Sequence, residues 1–204
     1  MKGLFLKDFY NVRGLLLYYL ALAAVFGVVS VAVKNIYYFC GYMAFFSVGL
    51  TSAVFSYDER DCWERFAITA GIAKKKLVLS RYLFALCNVA VGLILGLIAA
   101  AAMGTKTPSE FFFVVLFSFG GAMGTSVMMP CFYRLGVEKS RVIYIVAFAF
   151  VFAVTFLSVW LSETFVFGKG TALWLTALML VLTASALAAS YFLSLRVCRK
   201  KEWN

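Results

Sequence analysis

The chain has 204 residues, of which 64% are hydrophobic and 14% charged, and its mean hydropathy is +0.95; soluble domains are near half apolar and about a quarter charged. Such a composition excludes an ordinary soluble domain and marks an integral membrane protein. The net charge of +10 would point to nucleic acid in a soluble protein, but the basic residues gather at the ends of apolar runs, where topology and anionic lipid account for them, so no nucleic-acid partner is expected.

The chain opens with MKGLFLKDFYNVR. Helical spacing places Phe5, Phe9 and Val12 on one face, with Lys7, Asp8 and Asn11 between them, which suits an amphipathic interfacial helix lying in the cytoplasmic headgroup layer. The alternative is a basic flank that only sets orientation. A basic start followed by an apolar stretch and Ala21-Leu22-Ala23 imitates a signal peptide, but the apolar run continues through Val33, so an uncleaved anchor is expected.

Six uncharged apolar runs follow one another at residues 14–33, 36–55, 82–103, 111–132, 142–161 and 171–195. Each is about twenty residues or more, which at 1.5 Å per residue crosses a hydrocarbon core of ~30 Å. None alternates with a period of two, so helices are expected rather than barrel strands. The predicted fold class is therefore an all-α membrane protein of six transmembrane helices forming a single domain. Of the nineteen Lys and Arg residues, sixteen lie in the N-terminal arm, the 56–81 and 133–141 segments and the C-terminal tail; only Lys34, Lys106 and Lys169 lie in the other connections. That asymmetry places both termini and the two longer charged loops in the cytoplasm and leaves only short outer loops.

Small residues recur four apart at Ala23 and Gly27, Gly92 and Gly96, Gly120 and Gly124, and Ala184 and Ala188, a spacing that lets helix backbones approach closely. Packing within the chain is the expected use. Pro130 removes a helical hydrogen bond and is expected to bend or end the fourth span.

Segment 56–81, SYDERDCWERFAITAGIAKKKLVLSR, holds four of the nine acidic residues (Asp58, Glu59, Asp61, Glu64) and six of the nineteen basic ones. Trp63, Phe66, Ala67 and Ala70 follow i, i+3, i+4, i+7, and Asp61 with Arg65 forms an i, i+4 pair, so a short amphipathic helix is predicted. An aromatic anchor amid mixed charge suits a groove in a soluble partner. Equally, such a helix could lie among lipid headgroups with its charges solvated. The run Lys74-Lys75-Lys76 then holds the loop inside. The second cytoplasmic segment is a tight turn, in which Gly136 can supply a positive φ and Glu138, Lys139 and Arg141 open the next helix.

The spans as drawn contain no acidic or basic residue. A carrier driven by an ion gradient usually keeps an ionisable site near midplane, so energy for any transport would come from outside the chain. Histidine is absent, which removes imidazole zinc sites, catalytic triads and histidine proton relays. The five cysteines show no CxxC spacing, so neither a disulfide framework nor a metal site is expected. No G-x-x-x-x-G-K-[ST] loop occurs; Gly168-Lys169-Gly170-Thr171 lacks the earlier glycine.

Taken in order, SYDERDCWERFAITAGIAKKKLVLSRYL, MMPCFYRLGVEKSRVIYIV and the opening MKGLFLKDFYNVR resemble bacterial ABC-2 type transporter permeases over nearly the whole chain. The chain departs at Ala73, where many relatives carry a proline before the basic turn. The resemblance implies a multi-pass permease in the bacterial plasma membrane, paired with a second identical or similar permease and served by two copies of a separate ABC ATPase. ATP and Mg would be bound by that partner, with no cofactor in this chain and no enzyme activity of its own. Asp58, Glu59, Asp61, Trp63, Glu64, Arg65 and Phe66 would form the coupling helix that docks in the ATPase, with Gly136, Glu138 and Lys139 a second contact. Apolar spans and the resemblance both point to export of hydrophobic or amphipathic cargo such as peptides, toxins, antimicrobials or drugs. The rival reading is the substrate-binding membrane subunit of an energy-coupling-factor importer, although the short outer loops offer few polar groups for a ligand pocket.

Overall fold

In the computed structural model the backbone is described for residues 2–104, 108–164 and 169–200, and side chains for 3–104, 111–140 and 177–200 with a few single positions between. Among the described residues there are six helices and no strand: α1 Lys2–Val33, α2 Tyr37–Arg60, α3 Trp63–Thr69, α4 Lys74–Ala102, α5 Pro108–Thr164 and α6 Lys169–Lys200. Among the described residues five helical segments are long and apolar enough to cross a membrane: Gly3–Val33, Tyr37–Arg60, Lys74–Ala102, Phe111–Ser140 and Ala177–Lys200. The run 142–161, expected as the fifth of six spans, is helical within α5, but most of its side chains lie outside the described residues.

The most buried span is α2, which packs against α1, α4 and α5. Its N-terminal end meets α4 and α5 in a cluster built on Ile36, Cys40, Ala100, Phe113 and Phe117. Along its length Tyr42, Phe46, Leu50 and Val54 pack with Val12 and Ala23 of α1 and Phe84 of α4. Toward the basic end Phe55 joins Val78, Tyr82, Met128, Phe132, Tyr133 and Leu195, bringing α6 into the bundle. There the Tyr82 hydroxyl pairs with those of Ser190 at 2.6 Å and Ser194 at 2.8 Å, and Ser190 donates to the Ser126 carbonyl at 2.5 Å. These bonds satisfy hydroxyls that would otherwise be buried without water, at a junction of α4, α5 and α6.

Three expectations are corrected by this geometry. First, the N-terminal arm is not a separate interfacial helix: α1 runs unbroken from Lys2 to Val33. At 32 residues it is about 48 Å long, so its first turns extend past a ~30 Å hydrocarbon layer. The arm stays in line because it packs on the bundle: Val12 and Asp8 are buried, and Phe5 lies 5.8 Å from Phe84. The packed face is Phe5, Asp8 and Val12, while Phe9 is exposed. Second, 56–81 is mostly not a loop. Helix α2 continues to Arg60 and α4 begins at Lys74, leaving only residues 61–73 between them. Third, of the two outcomes expected at Pro130, a bend or an end, the end is overturned, because the helix continues to Gly136.

Local chemistry explains the turns. Lys34 takes a positive φ while its N–H bonds to Val31 and the Asn35 N–H to Ser30, the paired bonds of a Schellman ending. Gly136, at φ 77° and ψ 172°, breaks α5 where the positive φ was expected. Of the small residues, Gly92 lies against Met43 and Ser47, and Gly96 against Val114 and Cys40, so this pair serves packing within the chain. In the fourth span the close approach to Ala44 is made by Gly121, one position from the expected Gly120.

Candidate functional site at the basic end of the bundle

Ser47, Thr51, Val54 and Asp58 recur along one stripe of α2, and all four are buried. That periodicity turns the Asp58 carboxylate inward instead of presenting it to solvent. Asp8 falls in phase with Val12 on α1, and Arg81 with Val78, Ala85 and Asn88 on α4, so three charges are delivered to one place. The Arg81 guanidinium meets Asp8 at 2.7 Å through Nη1 and Asp58 through Nη2. Lys7 Nζ meets Asp58 at 2.6 Å and Asp8 at 3.1 Å. Two cations thus balance two anions, and the Asp8, Asp58 and Arg81 side chains are 2–3% exposed. A buried charge is tolerated only with partners of this kind.

Helix α3 hangs beside this network. Cys62 enters it at φ 50°, a left-handed conformation rare outside glycine. It ends on Gly71, where Gly71 N–H bonds to Ile68 and Ile72 N–H to Ala67, another Schellman ending. Ala67 is fully buried against the bundle, while Phe66 is 60% exposed and Arg65 is exposed. Trp63 is half-buried; Lys7 Nζ sits 4.5 Å from the centroid of its ring, and the Phe66 ring lies tilted beside it at 5.4 Å. Through Lys7, α3 is therefore linked to α1 and to the ion network shared with α2 and α4.

At the end of α2, Glu59 accepts the Val137 N–H at 2.6 Å. The first free N–H after the break in α5 gains a charged acceptor. The positive φ favours glycine, and a Cβ on Gly136 would lie 2.7 Å from Glu59 Oε1, so the carboxylate would have to shift from the place where it accepts the Val137 N–H.

The ten residues singled out from sequence now divide. Glu59 brings the two expected contact segments together by bonding across to the Gly136 turn. Asp61, Arg65 and Phe66 are exposed, as are Glu138 and Lys139, while Trp63 and Glu64 are half-buried. Among the described residues Asp61 pairs with its neighbour Arg60, at 3.1 Å with both side chains largely solvated, an arrangement of little stabilising value. Asp58 is corrected: expected on the docking face, it is sequestered among Lys7, Asp8 and Arg81. Those three partners flank spans, where a charge has the sequence pattern of a solvated one. The available signal was phase, since each acid or base recurs at helical spacing with buried apolar neighbours.

Among the described residues no group of three or more His, Cys, Asp or Glu side chains is placed to hold a metal ion. A family model described as "ABC-2 family transporter protein" matches residues 3–199. No curated protein and no solved structure matches the chain.

Proposed function

Because the chain belongs to the ABC-2 family of transporter membrane proteins, a membership that implies association with an ABC ATPase and a membrane, we propose that it is the permease subunit of an ATP-driven exporter of hydrophobic or amphipathic cargo. ATP is bound together with Mg and hydrolysed by two copies of the separate ATPase, and a second permease, identical or similar, completes the path. The complex resides in a bacterial plasma membrane, with the basic end of the bundle in the cytoplasm.

The observation that carries this reading is the placement of α3. It presents Phe66 and Arg65 outward while its other face is tied to the bundle by Ala67 and by Trp63 under Lys7. Movement of an ATPase against α3 would press through Lys7 on α1 and through the Asp8–Asp58–Arg81 pairs on α2 and α4. Glu59 would carry the same displacement to the Gly136 turn. Nucleotide-driven closure would then shift the population between inward- and outward-open arrangements. Apolar spans without a midplane charge suit greasy cargo such as peptides, toxins or lipophilic drugs.

The ATPase that copurifies with the full chain supplies the test. Truncating an exposed aromatic anchor costs about 1–2 kcal/mol at an interface, so Phe66→Ala is expected to weaken copurification by roughly tenfold and to lower cargo-stimulated hydrolysis, with membrane insertion unchanged. Arg65→Glu should act in the same direction. If both variants retain wild-type copurification and wild-type stimulation, α3 is not the coupling element.

A further inference from the structure

A groove of about 680 Å³ runs between α4 and α6 on the bundle surface. We propose that it binds an anionic phospholipid of the inner leaflet. Its wall is apolar, with Leu86, Leu187, Ala188 and Phe192 among the lining residues, and Leu86 and Phe192 are exposed. Its two charged lining residues are Lys75 and Arg199, and no acidic residue lines it among the described residues.

Both charges fall at one end because α4 and α6 run antiparallel there: Lys75 is in the first turn of α4 and Arg199 in the last turn of α6. Lys74 Nζ approaches the Arg199 carbonyl at 3.5 Å, so the two helix ends lie side by side. Lys75 lies about 17 Å along its helix from Leu86, and Arg199 about 18 Å along its own from Leu187, at 1.5 Å per residue. Half of a ~30 Å hydrocarbon core is about 15 Å. The apolar wall therefore has the depth of one leaflet, and the two cations stand at the level of its phosphates. A zwitterionic lipid fills the wall equally well but brings a cationic headgroup to Lys75 and Arg199, so charge selects the anion. The site is independent of α3 and of any ATPase.

The test is native mass spectrometry of the intact full chain, released from detergent after equal additions of dioleoylphosphatidylglycerol and dioleoylphosphatidylcholine. The phosphatidylglycerol adduct is expected to predominate, and either Lys75→Gln or Arg199→Gln should reduce it by roughly fivefold, the factor for one basic residue near an anionic headgroup. Ala188→Phe, which fills an exposed part of the groove, should lower retention of both lipids, whereas Lys139→Gln on the other cytoplasmic turn should alter neither. Equal retention of the two lipids overturns the proposal, as does an equal loss with Lys139→Gln. Efficient cross-linking between copies through Ala188→Cys in native membranes would also overturn it, by assigning the groove to a second copy of the chain.

Discussion

Replacing Arg81 by methionine removes one cation from the buried network while nearly preserving side-chain volume. At the 2.7 Å separation from Asp8, one charge pair attracts with about 6 kcal/mol at an effective dielectric of 20. Most of that attraction offsets the desolvation of the two ions, so the pair's net worth is far smaller. Breaking it is different, because Asp8 and Asp58 are left with Lys7 alone and one anion is buried without a counter-charge. Removing one partner of a buried pair costs about 3–5 kcal/mol. The assay is reversible unfolding of the purified chain in mixed micelles, and Arg81→Met is expected to lose a stability in that range. Adding Asp58→Asn to Arg81→Met leaves Lys7 opposite Asp8, one charge against one, and should recover about half the loss. A single-variant cost under ~1 kcal/mol, or a double variant as unstable as the sum of its two single variants, would refute the coupling.

Gly136→Ala meets two penalties, a left-handed φ of 77° and a contact with Glu59, whereas Gly71→Ala meets only the first, because nothing lies near its added Cβ. At φ 77° and ψ 172° Gly136 lies in a backbone region essentially confined to glycine, at a cost of about 1–3 kcal/mol for another residue; the same unfolding assay should show Gly136→Ala falling below Gly71→Ala by ~1 kcal/mol or more, from that backbone together with loss of the charge-assisted bond to Val137. Equal costs would mean that Glu59 does not hold the turn. Cys62 is exposed at the basic end, Cys131 is half-buried, Cys40 and Cys198 are buried, and Cys87 is exposed on an apolar span. A membrane-impermeant maleimide is therefore expected to label Cys62 in inside-out vesicles and not in right-side-out ones, with loss of the signal in Cys62→Ser. The reverse pattern would invert the assigned orientation.

Several features could be read before any tertiary contact was known, because each depends on neighbours in the chain. The apolar runs have the length of a bilayer, and among the described residues five helical segments have that length and character. The spacing of Trp63, Phe66, Ala67 and Ala70 anticipates α3, which spans Trp63–Thr69. Gly136 was expected to take a positive φ, and does. Membership of the ABC-2 family, expected from the ordered phrases around Trp63 and Gly136, is shown by the match over residues 3–199.

The rest awaited the rotation of each helix about its own axis. One residue is about 100° of turn, so the choice between Gly120 and Gly121 against Ala44, or between Asp8 and Phe9 against the bundle, is decided by packing with a neighbouring helix. A run of apolar residues carries little information about that angle, since most of its faces are equally greasy. The same limit hid the partners of Asp58: Lys7 lies 51 residues away in the chain, and Glu59 reaches Val137 across 78. A charge at the margin of a span has one sequence pattern whether water or a buried counter-ion receives it, and only the meeting of α1, α2 and α4 settles which.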